Sequence, residues 1–408
     1  MTYDPFKAIR DFKLKSGKTG KMYSLAALEE AGLGKVSRLP VSLRVVLESI
    51  LRNCDGQRIT ENAVRELAGW QPNGERTQEL PFVLARIMLQ DMAGFPALND
   101  FAAMRAEAKR QNFDPKRIEP LVPVDLVVDH SVVIDVHNST DALRKNMEIE
   151  FERNGERYTF LKWAKAAFSG IRVVPPGNGI CHQVMPEGGH LTAGDLIVGT
   201  DTHSVTYGAF NALGTGVEGT DVAAVMMTGK LWFRVPETIR IELKGKLQPG
   251  VWAKDVTLNM LGRFKAEGAN YRALEYTGSG VAAMEIDDRM TLANHAAELG
   301  AKAALLEADE KTIAWLKAHG VKFGGIGFYG LTPRASPRIA ITGGGLHLIE
   351  VMTAHAEKIG VRFFYETTAQ GLVQTAQGAV CGLRARAKSG AVQTFNSRAV
   401  ILACGGFQ

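Results

Sequence analysis

The 408 residues, 46% hydrophobic and 22% charged, have the composition of an ordinary globular chain with enough core for two or three domains. A net charge of +5, with Lys and Arg scattered among Asp and Glu, gives no support to a nucleic-acid-binding stripe and is compatible with acidic substrates. No uninterrupted apolar stretch reaches the roughly 18 residues of a membrane helix, and the opening Met1-Thr-Tyr-Asp-Pro-Phe-Lys7 is not a signal peptide, so a cytoplasmic protein without membrane or nucleic-acid partners is expected.

Residues 1–120 alternate helical patterns with polar loops. Residues 39–52 place Leu43, Val46, Leu47, Ile50 and Leu51 at helical spacing, and residues 83–92 carry a similar stripe through Val83, Leu84, Ile87 and Met88. Both read as helices. Residues 122–128 are short, β-branched and nearly free of polar alternation, which argues for a strand buried on both faces of a parallel sheet. Residues 196–199 read the same way. Between them, residues 145–168 form a helical pattern that runs to Gly170 as a C-cap. The alternation implies an α/β layered fold with active groups at the carboxyl ends of parallel strands.

Residues 208–221 bring several glycines ahead of a helix that continues through Thr228. They suit either an anion cradle or the close packing of a helix on a sheet. A strand at 238–243, a helix at 253–265, a strand at 271–278 and a helix at 290–298 follow, with His295 read as a packed or capping histidine.

The chemistry-bearing residues cluster at the ends of the apolar runs. Ile197-Val-Gly-Thr-Asp-Thr-His-Ser204 sets Asp201 and His203 two residues apart, with Gly199 expected to let the backbone turn. Asp129 and His130 close the run 122–131, and His182 follows the turn Pro175-Pro-Gly-Asn-Gly179. A carboxylate beside an imidazole fixes its tautomer and raises its basicity, which suits proton transfer or a metal-bound water. The four cysteines, Cys54, Cys181, Cys381 and Cys404, form no Cys-x-x-Cys and offer neither a disulfide framework nor a thiolate cage. Cys181 reads as a buried structural thiol.

From about residue 20 to 320 the chain resembles the N-terminal part of the aconitase superfamily, iron–sulfur hydro-lyases that include isopropylmalate dehydratase. Leu39-Pro-Val-Ser-Leu-Arg-Val-Val-Leu-Glu48, Leu89-Gln-Asp91, Val124-Asp-Leu-Val-Val-Asp-His-Ser131, Glu156-Arg-Tyr-Thr-Phe-Leu-Lys-Trp163 and Val174-Pro-Pro-Gly177 are similar to the aconitase A type. Gly199-Thr-Asp-Thr-His203, Tyr207-Gly-Ala209, Thr228-Gly-Lys-Leu-Trp-Phe233 and Val235-Pro-Glu237 are closer to the dehydratase large subunit. The resemblance implies three-layer α/β/α domains and a hydro-lyase acting on hydroxy di- or tricarboxylic acids. It makes His130, oriented by Asp129, the acid that protonates the departing hydroxyl. It sets Asp201, His203 and His182 around an iron-bound water, Gln90 and Thr202 on substrate carboxylate, and Glu275 at the substrate hydroxyl. Two departures are an exchange of hydroxyl residues around His203 and Glu218 where glycine is usual. The resemblance also implies a [4Fe-4S] cluster held by three cysteines, in a Gly-Ser-Cys-Thr-Asn type motif and a Cys-x-x-Cys. Neither motif occurs in this sequence, so no metal ligand is assigned. An incomplete hydro-lyase is expected, with a small-molecule carboxylate as substrate. A small subunit or second chain would supply the missing cysteines, the serine base and a carboxylate-binding arginine.

After residue 320 the stretch Phe323-Gly-Gly-Ile-Gly-Phe-Tyr-Gly-Leu-Thr-Pro-Arg-Ala-Ser-Pro337 reads as a linker or junction. Beyond it Gly343-Gly-Gly-Leu-His-Leu-Ile-Glu-Val-Met352, Gly360-Val-Arg-Phe-Phe-Tyr-Glu-Thr-Thr368, Gly378-Ala-Val-Cys-Gly-Leu383 and Ala399-Val-Ile-Leu-Ala-Cys-Gly-Gly-Phe407 resemble the fumarate reductase and tricarballylate dehydrogenase flavoproteins. That segment reads as a partial α+β piece of an FAD-binding fold. The triplet Gly343 to Gly345 lacks the spacing of a G-x-G-x-x-G fingerprint, so FAD is not expected. The expected domains are 1–205 and 206–320, both aconitase-like, a junction at 321–337 and the flavoprotein-like segment 338–408. A strand at 399–404 would lack its continuation, as in a rearranged or recombined sequence. The alternatives to a hydro-lyase are a non-catalytic chimeric or truncated remnant and a fragment of an FAD-dependent tricarballylate- or fumarate-type oxidoreductase.

Overall fold

In a computed structural model of the chain, the described residues are 3–13, 19–72, 74, 79–321, 356–358 and 360–401. They divide into two compact units, Met1–His130 with Phe160–Ala340, and Ser131–Thr159 with Ile341–Gln408. No helix among the described residues is long and apolar enough to cross a membrane.

The first unit opens with an antiparallel pair, β1 (Ile9–Lys13) and β2 (Thr19–Tyr23), then α1 (Leu25–Glu30), α2 (Val41–Arg52) and α3 (Glu61–Ala68). Helix α2 is the expected one, and its apolar stripe of Leu43, Val46, Leu47, Ile50 and Leu51 is buried. Thr60 starts α3 by accepting the Ala63 N–H at 3.3 Å, an N-cap bond that satisfies one of the helix's orphan donors. Strand β3 (Glu79–Val83) is followed by β4 (Arg86–Gln90), so the helix expected over residues 83–92 is corrected to strand. Ile87, Met88 and Leu89 are all fully buried in the middle of a sheet. A short run that is apolar on both faces gives no period with which to tell strand from helix. The helix begins only at α4 (Phe95–Arg110), where a proline occupies its first turn.

Strand β5 (Val124–Val127) confirms the buried-strand reading, with all four residues buried. The helical stretch expected at 145–168 is two helices, α5 (Ala142–Arg153) and α6 (Gly155–Ala167). The break falls at Asn154, whose side chain turns back to Glu150 at 2.8 Å, and at Gly155, a poor helix former. Gly170 lies past the end of α6. Strand β6 (Ile171–Val174), α7 (Cys181–Glu187), β7 (Leu196–Gly199), β8 (Leu213–Gly216) and α8 (Gly219–Thr228) complete the first layer system. The sheet order is β6-β5-β4-β7-β8, parallel throughout. The chain winds outward from β4 through β5 to β6 and then crosses to the other side of β4. The order therefore reverses between β4 and β7, and the crevice at such a switch point is where open α/β sheets bind ligands.

Strand β9 (Lys230–Arg234) returns antiparallel to β3. A second parallel sheet, β10-β11-β12, is built from β10 (Glu237–Glu242), β11 (Arg272–Thr277) and β12 (Ala303–Leu306), with α9 (Ala253–Phe264), α10 (Ser279–Ala283) and α11 (Ile286–Asn294) in its connections and α12 (Glu310–Ala318) after it. One hydrophobic cluster joins the two sheets through Met88, Val127, Ile197, Tyr207, Phe210, Leu274, Tyr276 and Leu306. Between them runs a 3-10 segment, Thr202–Phe210. A Cβ at its Gly208 would stand 1.3 Å from the Ala304 carbonyl oxygen, so only glycine lets segment and strand touch.

In the second unit α5 is joined by an antiparallel sheet of β13 (Thr367–Gln374), β14 (Val380–Ala387) and β15 (Val392–Asn396). Gly378, at φ +84°, makes the turn between β13 and β14. The junction at 322–337, the triplet Gly343 to Gly345 and Cys404 lie outside the described residues. Of the strand read at 399–404, residues 399–401 are described and have no regular structure.

Candidate active site

Four strand ends carry the polar groups. Strand β4 leads into Gln90 and Asp91, β5 into Asp129 and His130, β6 through a turn into His182 on α7, and β7 into Thr200, Asp201 and His203. Backbone bonds lock these ends together: Asp91 N–H donates to the Val127 carbonyl at 3.1 Å, and Gln90 N–H to the Thr200 hydroxyl at 3.2 Å. The turn before α7 uses Gly177 and Gly179, at φ +84° and +109°, conformations open to glycine. Gly199 has another role than the turn expected of it. Its missing Cβ makes room for the Ser204 hydroxyl, which would otherwise be 2.0 Å away.

Three imidazoles are each paired with a carboxylate. Asp201 Oδ1 accepts the His203 backbone N–H at 2.8 Å and lies 3.1 Å from His182 Nε2. The two rings are 6.4 Å apart between centroids. His203 Nε2 also meets Glu298 Oε1 at 3.0 Å. Hydrogen bonds from His182 and His203 hold the Asp201 carboxyl far below the usual carboxylate range, against its partial burial. Reciprocally, Asp201 foremost, opposed by burial and aided by Glu298, pushes His203 up to about 9. His203 is therefore an imidazolium at neutral pH.

His130 belongs to a different carboxylate from the one expected. Its Nδ1 lies 2.5 Å from Asp91 Oδ2, while the backbone N–H groups of Asp129 and His130 both donate to Asp91 Oδ1 at 3.0 Å. Asp129 Oδ2 instead accepts the Cys181 N–H at the start of α7, at 2.5 Å. The two adjacent side chains thus take partners on different elements, His130 on the residue after β4 and Asp129 on α7.

Among the other expected residues, Gln90 turns its Oε1 onto the N–H groups of Met92 and Ala93, both at 2.8 Å. Thr202 is exposed, its hydroxyl 3.3 Å from His203 Nδ1. Glu275 is buried on β11, where its Oε1 accepts the Ser42 N–H and hydroxyl at 2.8 and 2.9 Å. A carboxylate there caps the N-terminus of α2 and complements its dipole. Among the described residues Glu275 makes no hydrogen bond or ion pair with His130, His182 or His203; the carboxylate beside His203 is Glu298. Asp91 and Glu298 were not singled out as site residues, although both stand inside quoted stretches, Leu89-Gln-Asp91 and Met290 to Glu298.

Cys181, His182 and Asp201 offer ligand atoms within 4.8 Å of one another. The Cys181 sulfur is 3.7 and 3.8 Å from the two His182 ring nitrogens, nearly equidistant, so it faces the ring and not the lone pair of either. Burial, with the neighbouring Asp129 charge, pushes the thiol well up and keeps it protonated. Cys54 is buried elsewhere, and Cys381 lies in the second unit. Among the described residues no set of three thiols exists, so the residues present do not fit a [4Fe-4S] cluster.

The spacing G-x-G-x-x-G does occur, at Gly214, Gly216 and Gly219 and again at Gly325, Gly327 and Gly330, the latter outside the described residues. The first set lies between β8 and α8. There Cβ atoms on Gly214 and Gly216 would stand 2.0 Å from the Ser204 carbonyl oxygen and 2.9 Å from the Thr202 Cα, so close packing accounts for them.

Residues 59–326 match the sequence model of the aconitase family (aconitate hydratase), and residues 270–408 match that of an FAD-binding domain. The chain is 41% identical over 329 residues to aconitate hydratase A of Bacillus subtilis (strain 168), covering 78% of this chain and 36% of the relative. It is 41% identical to aconitate hydratase A of Thermus thermophilus and 38% identical to that of Escherichia coli (strain K12), each over 77% of this chain and 36% of the relative. The chain thus spans about a third of the length of these curated relatives.

Proposed function

The chain belongs to the aconitase family, and on that premise we propose that its first unit carries the acid–base half of a hydro-lyase site for hydroxy di- or tricarboxylic acids. The observation that carries this reading is the convergence of four parallel strand ends at a topological switch point, bearing His130, His182 and His203 each within hydrogen-bond reach of a carboxylate. Dehydration of a hydroxy acid breaks a C–O and a C–H bond. The departing hydroxyl needs a proton, and a positioned imidazole is the common donor. We assign that donation to His130. Asp201, His182 and His203 form the facing group that binds and orients the hydroxyl, and Thr202 and Gln90 are assigned to substrate carboxylate. For the carboxylate beside the hydroxyl, which the resemblance gives to Glu275, the contact with His203 favours Glu298, while Glu275 fixes α2 on β11. The C–H proton would go to a base outside the matched region.

An iron–sulfur cluster belongs to the family chemistry as a Lewis acid, and the cysteines of this sequence do not provide its ligands. A folded remnant that binds a carboxylate without turnover is the second and less supported reading, since the chain is about 40% identical to aconitate hydratases over three quarters of its length. A partner chain bearing the cluster cysteines would restore the first reading. The two aconitase-like domains are proposed to meet after α8, since β8 and α8 still belong to the first sheet's layers, with the flavoprotein-like segment following from about residue 338. FAD binding is not part of the proposal: the triplet Gly343 to Gly345 lacks the spacing of a dinucleotide fingerprint, and the match to an FAD-binding domain over residues 270–408 carries no assignment of a binding residue. A cytoplasmic location is retained from the sequence.

Citrate titrated against the 408-residue chain tests the site reading, with the histidine ring signals followed by NMR. The signals of His130, His182 and His203 are expected to move together with saturation, and those of His295 and His319 to stay. No movement of the three would overturn the reading.

A further inference from the structure

We propose that Asp91 is the positioning residue of His130, holding its Nδ1–H so that Nε2 is the nitrogen that carries the donated proton in the imidazolium and the lone pair in the neutral Nδ1–H tautomer left after donation. The inference rests on the assignment of His130 as the proton donor, but its geometry stands by itself. Asp91 is 0% exposed, at the end of the central strand β4. Its two oxygens divide the work. Oδ1 accepts the backbone N–H groups of Asp129 and His130, both at 3.0 Å, which fixes the carboxylate against the end of β5. Oδ2 is left for His130 Nδ1, at 2.5 Å. An ionised carboxylate only accepts hydrogen bonds, so the Nδ1 facing it carries the hydrogen and the neutral ring's lone pair falls on Nε2. The alternative orienter, Asp129, is engaged at the Cys181 N–H at the start of α7.

The arrangement gives Asp91 one task that Asn would perform and one that it would invert. In Asp91→Asn, the side-chain carbonyl oxygen keeps the two backbone donors, and the amide NH2 then faces Nδ1. Nδ1 must become the acceptor, and the proton moves to Nε2. No bond is made or broken apart from this transfer of one ring proton between nitrogens. A charge-assisted hydrogen bond biases the tautomers by roughly ten- to a hundredfold, and losing it for an amide donor should reverse the sign of that bias.

The experiment is nitrogen-15 NMR of the histidine rings in the full 408-residue chain at about pH 8, above the ordinary histidine range. Wild type is expected to show His130 protonated on Nδ1, D91N protonated on Nε2, and D129N the same as wild type. The readout needs neither turnover nor a cluster. A failure of the hydro-lyase reading leaves it intact, and a failure of the tautomer leaves citrate binding to be judged separately. If D91N does not fold, the wild-type spectrum decides alone: an Nε2–H tautomer for His130 overturns the proposal. So does a tautomer unchanged in D91N, or one switched by D129N.

Discussion

Replacing Asp201 by Asn removes the charge that most strongly raises His203 while keeping an oxygen for the His203 backbone N–H. Wild-type His203 is expected to titrate at about 9, and D201N His203 at roughly 7–8, because Glu298 stays beside Nε2. A folded-state pKa above the unfolded value gives stability that is complete below about pH 6.5 and is lost as pH rises through about 9. The gap would be worth about 3.4 kcal/mol at about 1.36 kcal/mol per pH unit. The His203 side chain is 36% exposed, however, and solvent screening reduces this to roughly 1–2 kcal/mol. The depressed Asp201 carboxyl reports the same contacts from the other partner, so it is not added. D201N keeps the part of this loss that belongs to its own raised pKa, so wild type should lose about 0.5–1.5 kcal/mol more than D201N between pH 6 and 10, read by denaturant unfolding of both proteins at each pH. NMR titration of the His203 ring gives the pKa directly. A wild-type His203 titrating below pH 7, or a D201N ring that titrates no lower than wild type, refutes the reasoning.

Glu275→Ala should destabilise the fold by about 1–3 kcal/mol, because it strands the buried Ser42 N–H and leaves the Ser42 hydroxyl only Thr238; denaturant unfolding measures it, and a neutral result would deny the capping role. Gly208→Ala meets the Ala304 carbonyl oxygen and is expected to cost more than about 4 kcal/mol or prevent folding, seen as loss of soluble protein or of cooperative melting. Tyr207→Phe removes a fully buried hydroxyl with no hydrogen-bond partner and should be neutral or stabilising by up to about 1 kcal/mol in a thermal melt.

The strand ends were legible where the sequence offered only one reading. Residues 124–127 have no alternation and no helical stripe, and β5 is indeed buried on both faces. Residues 83–92 offered the same apolar density with an accidental helical stripe, and only their place between β5 and β7 makes them strand. The histidines announced themselves because each ends an apolar run or follows a glycine turn. Their partners did not. Asp91 and Glu298 reach His130 and His203 across 39 and 95 residues of chain, a distance over which spacing carries no information. Asp129 illustrates the reverse error: adjacency in sequence suggested a pair, but the folded chain offers each side chain a different partner, the Cys181 N–H for Asp129 and Asp91 for His130. Gly199 and Gly208 were visible as glycines, but their reason, contact with Ser204 and Ala304, exists only once the chain has folded.

The most direct test of the central claim, an acid–base half-site without cluster ligands, is turnover by the chain after anaerobic reconstitution with iron and sulfide. Ultraviolet absorbance of the conjugated double bond follows dehydration of citrate-type hydroxy acids, and iron and sulfide analysis is run on the same sample. The account predicts a colourless protein with no stoichiometric iron–sulfur content. Its rate should be many powers of ten below an ordinary enzyme, since a missing Lewis acid and base together remove several kcal/mol of transition-state stabilisation. A brown protein turning over at about 1 per second would contradict it, and would mean that these 408 residues find cluster ligands other than the family's three cysteines.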